Sequence, residues 1–309
     1  MKLTKIGGLA VPVAFLMTAV FSFAFFVSSK QPDRNNDALI DLSADRQAGI
    51  ASGTGADESE KNQSGVLDSL ALKNVSVSGL KLQNNLMLVN GQTAINGDFS
   101  PSLASAYPAA AVASEDIKIG DDTLDAVKRL FDGAKTAGFS DFFVNSGYRT
   151  YKQQDELYNS ADDKNFVQKA GHSEHQTGLA VDIAYKNIDG RNFSGTGEEL
   201  WLRENAWKYG FVLRYPENKT KTTGISYEPW HYRYVGLPHS YFCHKNSLCL
   251  EEYIDFLENG GAYTKTIENT DYTVYYEKPD KGKINVPEKL SYEVSVDNKG
   301  GYVITVVSG

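Results

Sequence analysis

The sequence predicts an α+β fold: a mostly antiparallel sheet flanked by helices, with a C-terminal β-hairpin appendage. Three observations predict it. Amphipathic helical stretches and short apolar strands follow one another without a regular βαβ rhythm. The tail from Tyr272 to Val307 alternates with period two about Asp297-Asn-Lys-Gly-Gly, a hairpin turn. The chain has 309 residues, 41% hydrophobic and 23% charged, enough to bury a substantial core.

The elements follow in order. Lys2 and Lys5 precede 24 uncharged residues, Ile6 to Ser29, closed by Lys30. About 20 such residues cross ~30 Å of hydrocarbon, whereas secretory apolar cores are shorter and end in a small-x-small site. Phe21, Phe23, Phe25 and Phe26 keep this end bulky. Residues 1–30 therefore read as a cytoplasmic end and membrane signal anchor, with the basic end inside and the body exported. A cleaved signal peptide and a secreted body are the alternative. From Gln31 the composition turns to Asp, Asn, Ser, Gly, Ala and Gln, with no aromatic residue from Val27 to Asp98. Residues 31–74 read as a disordered extracytoplasmic tether.

Order is expected from Val75, where Val-Ser-Val-Ser alternates, with a short strand at Leu86-Met-Leu-Val. Leu124, Val127, Leu130, Phe131 and Ala134 recur at helical spacing after Asp121-Asp122-Thr123, and Gly138 closes that helix. Phe142-Phe-Val reads as a buried strand ending at Ser146-Gly-Tyr-Arg, and Tyr151 to Tyr158 as a helix. A second amphipathic helix is expected from Glu198 to Tyr209, then a strand at Phe211-Val-Leu-Arg-Tyr stopped by Pro216. Another strand follows from Trp230 to Val235, and a helix opened by Ser247 carries Leu250, Tyr253, Ile254 and Leu257. Residues 75–260 read as one domain and 261–309 as a β-rich C-terminal extension.

Charge narrows the partners. Beyond Lys30, 28 basic residues face 39 acidic ones, a balance of −11. Such a body offers no footprint for a phosphate backbone, which excludes nucleic acid. Two cysteines are too few for a disulfide scaffold or a four-thiolate zinc site. Cys243 and Cys249 leave a disulfide and two free thiols both open. With His239 and His244 beside them they match no standard zinc spacing.

The chemistry gathers around two of the five histidines. His175 and Asp182 share the run Ser173-Glu-His-Gln-Thr-Gly-Leu-Ala-Val-Asp, and His231 ends Glu228-Pro-Trp-His. Two imidazoles and a carboxylate form a zinc set for hydrolysis, since three protein ligands leave a fourth position for water. Glu228 supplies a general base three residues before His231, and one tight turn aims both at a common point. Pro229 disfavours helix at Glu228, so this differs from the helical His-Glu-x-x-His arrangement and is assembled from strands and loops. Arg149, at a strand end, offers a cation for an oxyanion or a substrate carboxylate. Taken singly, each histidine reads equally as a structural residue, and Asp182 as a turn residue. His172, three residues before His175, reads as structural or rim.

Four ordered blocks carry a resemblance. They are Ser146-Gly-Tyr-Arg to Tyr158, Gly171-His-Ser-Glu-His to Asp182-Ile, Trp207 to Pro216, and Thr223-Gly-Ile-Ser-Tyr-Glu-Pro-Trp-His to Gly236. Over about Leu86 to Leu257 they resemble the VanY-type D-alanyl-D-alanine carboxypeptidases. The resemblance implies a zinc D,D-carboxypeptidase that trims the terminal D-alanine from peptidoglycan stem peptides. It places one Zn²⁺ on His175, Asp182 and His231, with Glu228 as base and Arg149 on the tetrahedral intermediate. Gln154 and Ser173 would contact substrate. An L,D-carboxypeptidase on tetrapeptide stems or a D,D-dipeptidase is the neighbouring alternative. A non-catalytic cell-wall binding module is a second, though no ligand or base is missing. Resistance to antibiotics and ordinary wall remodelling both fit.

Overall fold

Strand register, more than helix packing, decides which side chains meet in this protein. The computed structural model describes residues 61–95, 99–186, 188 and 190–308. The expected anchor at 1–30 and the tether up to residue 60 lie outside the described residues. Among the described residues no helix is long and apolar enough to cross a membrane.

The described chain opens with Lys61–Asn62 (β1), Gln63–Leu67 (α1), Leu72–Ser76 (β2) and Leu82–Gln83 (β3). β1 falls within the expected 31–74 tether and β2 straddles its end, so order begins before Val75. Their backbone groups are satisfied by strands from the far end of the chain, a pairing no local composition reveals. Leu86–Val89, expected as a strand, joins no ladder although Leu86 and Val89 are fully buried. Leu88 N donates to Asp297 O at 3.0 Å. Asn85 O and Met87 O accept from the buried Arg233 guanidinium at 3.2 and 2.9 Å. A side chain there takes the place of a neighbouring strand.

Leu103–Ser105 (β4) pairs with Lys118–Gly120 (β5), which runs into Asp121–Thr136 (α2). The expected stripe of Leu124, Val127, Leu130 and Ala134 is buried against Phe142, Val144 and Ile183. Each large aliphatic side chain so buried contributes about 1.5–3 kcal/mol. Phe142–Ser146 (β6), Ala180–Tyr185 (β7), Phe211–Leu213 (β8) and His231–Tyr234 (β9) form an antiparallel sheet ordered β6-β7-β9-β8. Tyr151–Ser160 (α3) starts on a capping box. Thr150 Oγ1 accepts from Gln153 N at 3.2 Å, and Gln153 Oε1 accepts from Thr150 N at 2.8 Å.

The helix expected over 198–209 divides into Gly197–Asn205 (α4) and a 3₁₀ turn, Ala206–Tyr209. Asn205 leaves helical φ, at −121°, while its side-chain amide donates to Trp201 O at 2.7 Å. Thr220–Thr223 (α5) and His239–Lys245 (α6) are short helices without an apolar period long enough to read. Leu250–Glu258 (α7) begins after Cys249 rather than at Ser247, because Ser247 makes a left-handed turn (φ 54°) out of α6. Cys243 and Cys249 are free and buried. Burial pushes both thiols up, Cys249 to about 12.

Gly261–Ile267 (β10), Thr270–Glu277 (β11), Lys283–Pro287 (β12), Ser291–Val296 (β13) and Tyr302–Ser308 (β14) complete the chain. The expected hairpin joins β13 to β14, and the α+β class holds. That hairpin belongs to a six-stranded sheet, β1-β10-β11-β14-β13-β3, parallel only at β13–β3, while β12 pairs with β2. Leu86, Val212, Leu250 and Tyr253 share one apolar cluster with Tyr263, Val274 and Val303. No break in packing therefore falls at the expected 260/261 boundary.

A buried imidazole crosses this junction. His239 Nδ1 lies 2.6 Å from Tyr253 Oη and Nε2 lies 3.1 Å from Thr305 Oγ1, with Tyr263 Oη 2.9 Å from Tyr253 Oη. Burial lowers the His239 pKa from 6.5 to about 3. Between those values the unfolded chain binds a proton that the folded chain does not, so stability falls as pH falls through that window. The expected loss from this residue is about 1.4 kcal/mol per pH unit below 6.5. Urea midpoints at pH 7 and pH 5 check it: His239→Gln should flatten the slope, and an unaltered slope would clear His239 of the effect.

Candidate active site

Register brings the site together. β7 lies between β6 and β9, with Asp182 directly opposite His231 on one side and Ser146 on the other. Residues directly opposite share a face, so Ser146, Asp182 and His231 form one row across the sheet. Arg149 follows three residues after Ser146, and its Nε and Nη2 donate to Ser146 Oγ at 3.3 and 3.0 Å. His175 comes from the 3₁₀ turn Glu174–Thr177, which Gly178 ends in the left-handed region (φ 74°) before the chain enters β7. The turn is docked by His175 Nδ1, which donates to Gly147 O at 2.7 Å. Only glycine fits at 147, since a Cβ there would stand 2.5 Å from Lys118 O.

Around that row the polar atoms converge. One ligand atom from each of His175, Asp182 and His231 lies within 4.8 Å of the others, and all three residues are buried. Asp182 Oδ1 is buried without a hydrogen-bond partner, yet stands 3.3 Å from His175 Nε2 and 3.2 Å from His231 Nδ1. The Gly147 bond holds the His175 tautomer that leaves Nε2 a lone pair. An orphaned carboxylate oxygen facing two imidazole nitrogens is a donor set that fits a tetrahedral divalent ion such as Zn²⁺. Glu228 Oε2 lies 3.5 Å from His231 Nδ1. The turn that joins them is closed by His231 N donating to Glu228 O at 3.2 Å. Thus a tight turn aims both side chains at one point, as the spacing predicts.

Arg149 leans over the same point. Its Nη2 donates to Asp182 Oδ2 at 3.1 Å and lies 3.1 Å from His175 Nε2. Gln154, the buried residue of α3, accepts from Arg149 Nη1 at 3.1 Å and donates through Nε2 to Gln168 O at 2.7 Å. Gln154 thus steadies the guanidinium. Ser173 lines the same cavity, of about 120 Å³, whose walls include Phe166, Tyr215 and Trp230. All seven residues singled out in the sequence face this one space. His172 stands apart, its Nδ1 donating to Asn90 O at 2.7 Å.

The electrostatics differ between the two imidazoles, whose ring centroids lie 4.9 Å apart. Burial lowers His175 to about 4, with Arg149 adding to the effect and Asp182 opposing it. Burial also disfavours charge on His231, but Asp182 and Glu174 outweigh it and raise that imidazole to about 9. Asp182 is held well below the usual carboxylate range: burial raises it, and the two imidazoles overcome that. Burial pushes Glu228 up to about 8, against the pull of His231.

Sequence reasoning missed the layer beneath. Glu174, an unassigned position within the His175 motif, is fully buried, with Oε2 3.5 Å from His231 Nε2. Its Oε1 accepts from Arg214 Nε at 2.7 Å and Arg233 Nη1 at 2.6 Å. Arg214 continues to Glu251 on α7, at 2.8 and 2.6 Å. Burial raises Glu174, yet Arg214 and Arg233 hold it far below the carboxylate range. The signal was an arginine set inside each of two apolar strands, Val-Leu-Arg-Tyr and Tyr-Arg-Tyr-Val.

Comparison with known proteins places the chain in a family. A family model described as "VanY: D-alanyl-D-alanine carboxypeptidase" matches residues 116–237. Over 238 residues the chain is 35% identical to a D-alanyl-D-alanine carboxypeptidase of Enterococcus faecium, covering 74% of this chain and 76% of that protein. This chain belongs to the VanY family. Among solved structures, the D,D-dipeptidase VanXYg in complex with a D-Ala-D-Ala phosphinate analogue is 29% identical. It superposes with a TM-score of 0.65, covering 77% of this chain and 99% of that one. The LD-carboxypeptidase LdcB is 37% identical with a TM-score of 0.50, covering 59% and 93%. The residues matched by the family model include Asp182 and His231.

Proposed function

We propose that the protein is a zinc D,D-carboxypeptidase that releases the terminal D-alanine from peptidoglycan stem peptides. The convergence of His175, Asp182 and His231 on one point, with Glu228 beside it, carries this reading. The family relatives support the substrate class, and the complete base and ligand set argues against a silent binding module. The uncharged stretch behind Lys2 and Lys5 supports an anchored body outside the cytoplasm, where this substrate lies.

His175 Nε2, Asp182 Oδ1 and His231 Nδ1 would hold the ion. Bound there, zinc supplies Lewis acidity and lowers the pKa of a coordinated water toward ~7. Glu228 takes a proton from the attacking water as its oxygen bonds to the carbonyl carbon of the penultimate D-Ala. The Arg149 guanidinium, steadied by Ser146 and Gln154, offsets the negative charge that grows on the carbonyl oxygen. As the C–N bond breaks, Glu228 passes its proton to the leaving amine.

Incubation with zinc and either pentapeptide or tetrapeptide stems tests the reading. Release of D-alanine from the pentapeptide, abolished by a chelator, is expected. Release from the tetrapeptide alone would instead favour the L,D-carboxypeptidase reading that the likeness to LdcB supports. His231→Ala should lose the metal, as measured by zinc content after dialysis. Full occupancy in that variant would break the ligand assignment.

A further inference from the structure

Beyond the catalytic cavity lies a second cleft that the mechanism does not use. It has a volume of about 200 Å³ and shares three residues with the catalytic cavity: Val167, Gln168 and Ile225. Those residues form the wall common to both. Gln168 ties the wall to the chemistry, since its carbonyl accepts from Gln154, which in turn accepts from Arg149. A peptide whose scissile carbonyl sits beneath Arg149 has the cleft within reach of its upstream residues.

The lining of the cleft carries Lys164, Lys169 and His172, and no acidic side chain. That is an exception in a body with 28 basic and 39 acidic residues beyond Lys30. The Lys164 ammonium lies 4.5 Å over the Tyr158 ring, in a wall of the same cleft. Neither Lys164 nor Lys169 has a carboxylate partner among the described residues. Asp163, next to Lys164, accepts from the Asn165 amide. His172 Nδ1 is occupied by Asn90 O, which holds the ring in place at the rim. Two cations without counter-ions, at the edge of a site that takes a peptide, present a place for an anion.

We infer that this cleft, with Lys164 and Lys169, is a specificity subsite for a carboxylate on the peptide upstream of the scissile bond. The inference rests on the carboxypeptidase reading and deepens it. It makes the enzyme selective for acidic stems: peptides with a free carboxylate before the D-Ala-D-Ala pair are preferred over those in which it is amidated. Exposed pairs of this kind are individually weak and screened by salt, so the expected preference is about five- to tenfold and shrinks as salt is raised.

The test uses the full chain with zinc and synthetic pentapeptides ending in D-Ala-D-Ala. These carry glutamate or glutamine at either of the two positions before that pair. kcat/KM should be about five- to tenfold higher for glutamate at one of these positions. In K164Q/K169Q the ratio should fall to near one. Equal kcat/KM for glutamate and glutamine at both positions in the parent, or an unaltered ratio in the double variant, would overturn the inference and leave the carboxypeptidase reading standing. Should no peptide be hydrolysed, that reading fails by itself. Calorimetric binding of the same peptides still decides the subsite, by tighter binding of glutamate or by equal affinity.

Discussion

Glu228→Ala is expected to retain its zinc and lose nearly all turnover, with D-alanine release falling about 10²–10⁴-fold, the usual worth of a general acid–base group. The geometry separates the two properties. The proposed ligand atoms belong to His175, Asp182 and His231, while Glu228 stands 3.5 Å from His231 Nδ1 outside the converging set. Removing its carboxylate takes away the proposed proton carrier between water and the leaving amine, and leaves the three donors in place. It also relieves a buried carboxyl whose pKa is pushed up to about 8, so stability should not suffer greatly. Zinc content and D-alanine release measured on one preparation check both halves. Hydrolysis at the parent rate would remove Glu228 from the mechanism.

Glu174→Ala is expected to destabilise the fold by about 3–5 kcal/mol, the cost of breaking a buried ion pair from one side. Arg214 would keep Glu251 as a partner, but Arg233 would be left with the carbonyls of Asn85, Met87 and Tyr234 alone. Both guanidiniums are fully buried, so water cannot compensate. The conservative Glu174→Gln keeps the volume and an acceptor, and loses the charge that faces His231 Nε2. Carboxylates behind a ligating histidine are worth about 10–100-fold in metal affinity. Glu174→Gln should therefore bind zinc that much more weakly while unfolding at higher urea than Glu174→Ala. Chelator competition and urea titration read the two effects apart. If Glu174→Ala unfolds within 1 kcal/mol of the parent, the quartet Glu174, Arg214, Arg233 and Glu251 is not the support described here.

Much of the site was legible because chemistry restricts the choice of residue. A water-activating metal centre needs imidazoles, a carboxylate and a base, and few histidines were available to supply them. Glu174 was hidden for the opposite reason. A glutamate is ordinary on a surface, and nothing local says that it is buried. Its partners lie 40 and 59 residues away. The N-terminal boundary was misplaced on similar grounds. Lys61–Asn62 and Leu72–Ser76 have little apolar content of their own and are strands because β10 and β12 offer them edges. Leu86–Val89 failed in the other direction, since its apolar run signals burial but cannot say whether a strand or an arginine will satisfy its carbonyls.

By itself the sequence determined the α+β class, the stripe of α2, the hairpin of β13 and β14, and which polar side chains to look for in one place. Those follow from periodicities of two and 3.6 residues and from functional groups, both written locally. Only the tertiary structure decided that Asp182 stands opposite His231, that Glu174 lies behind them, and that a lysine-lined cleft adjoins the catalytic cavity. These are distances between segments far apart in the chain, and they come from strand register and burial, which no single stretch of residues encodes.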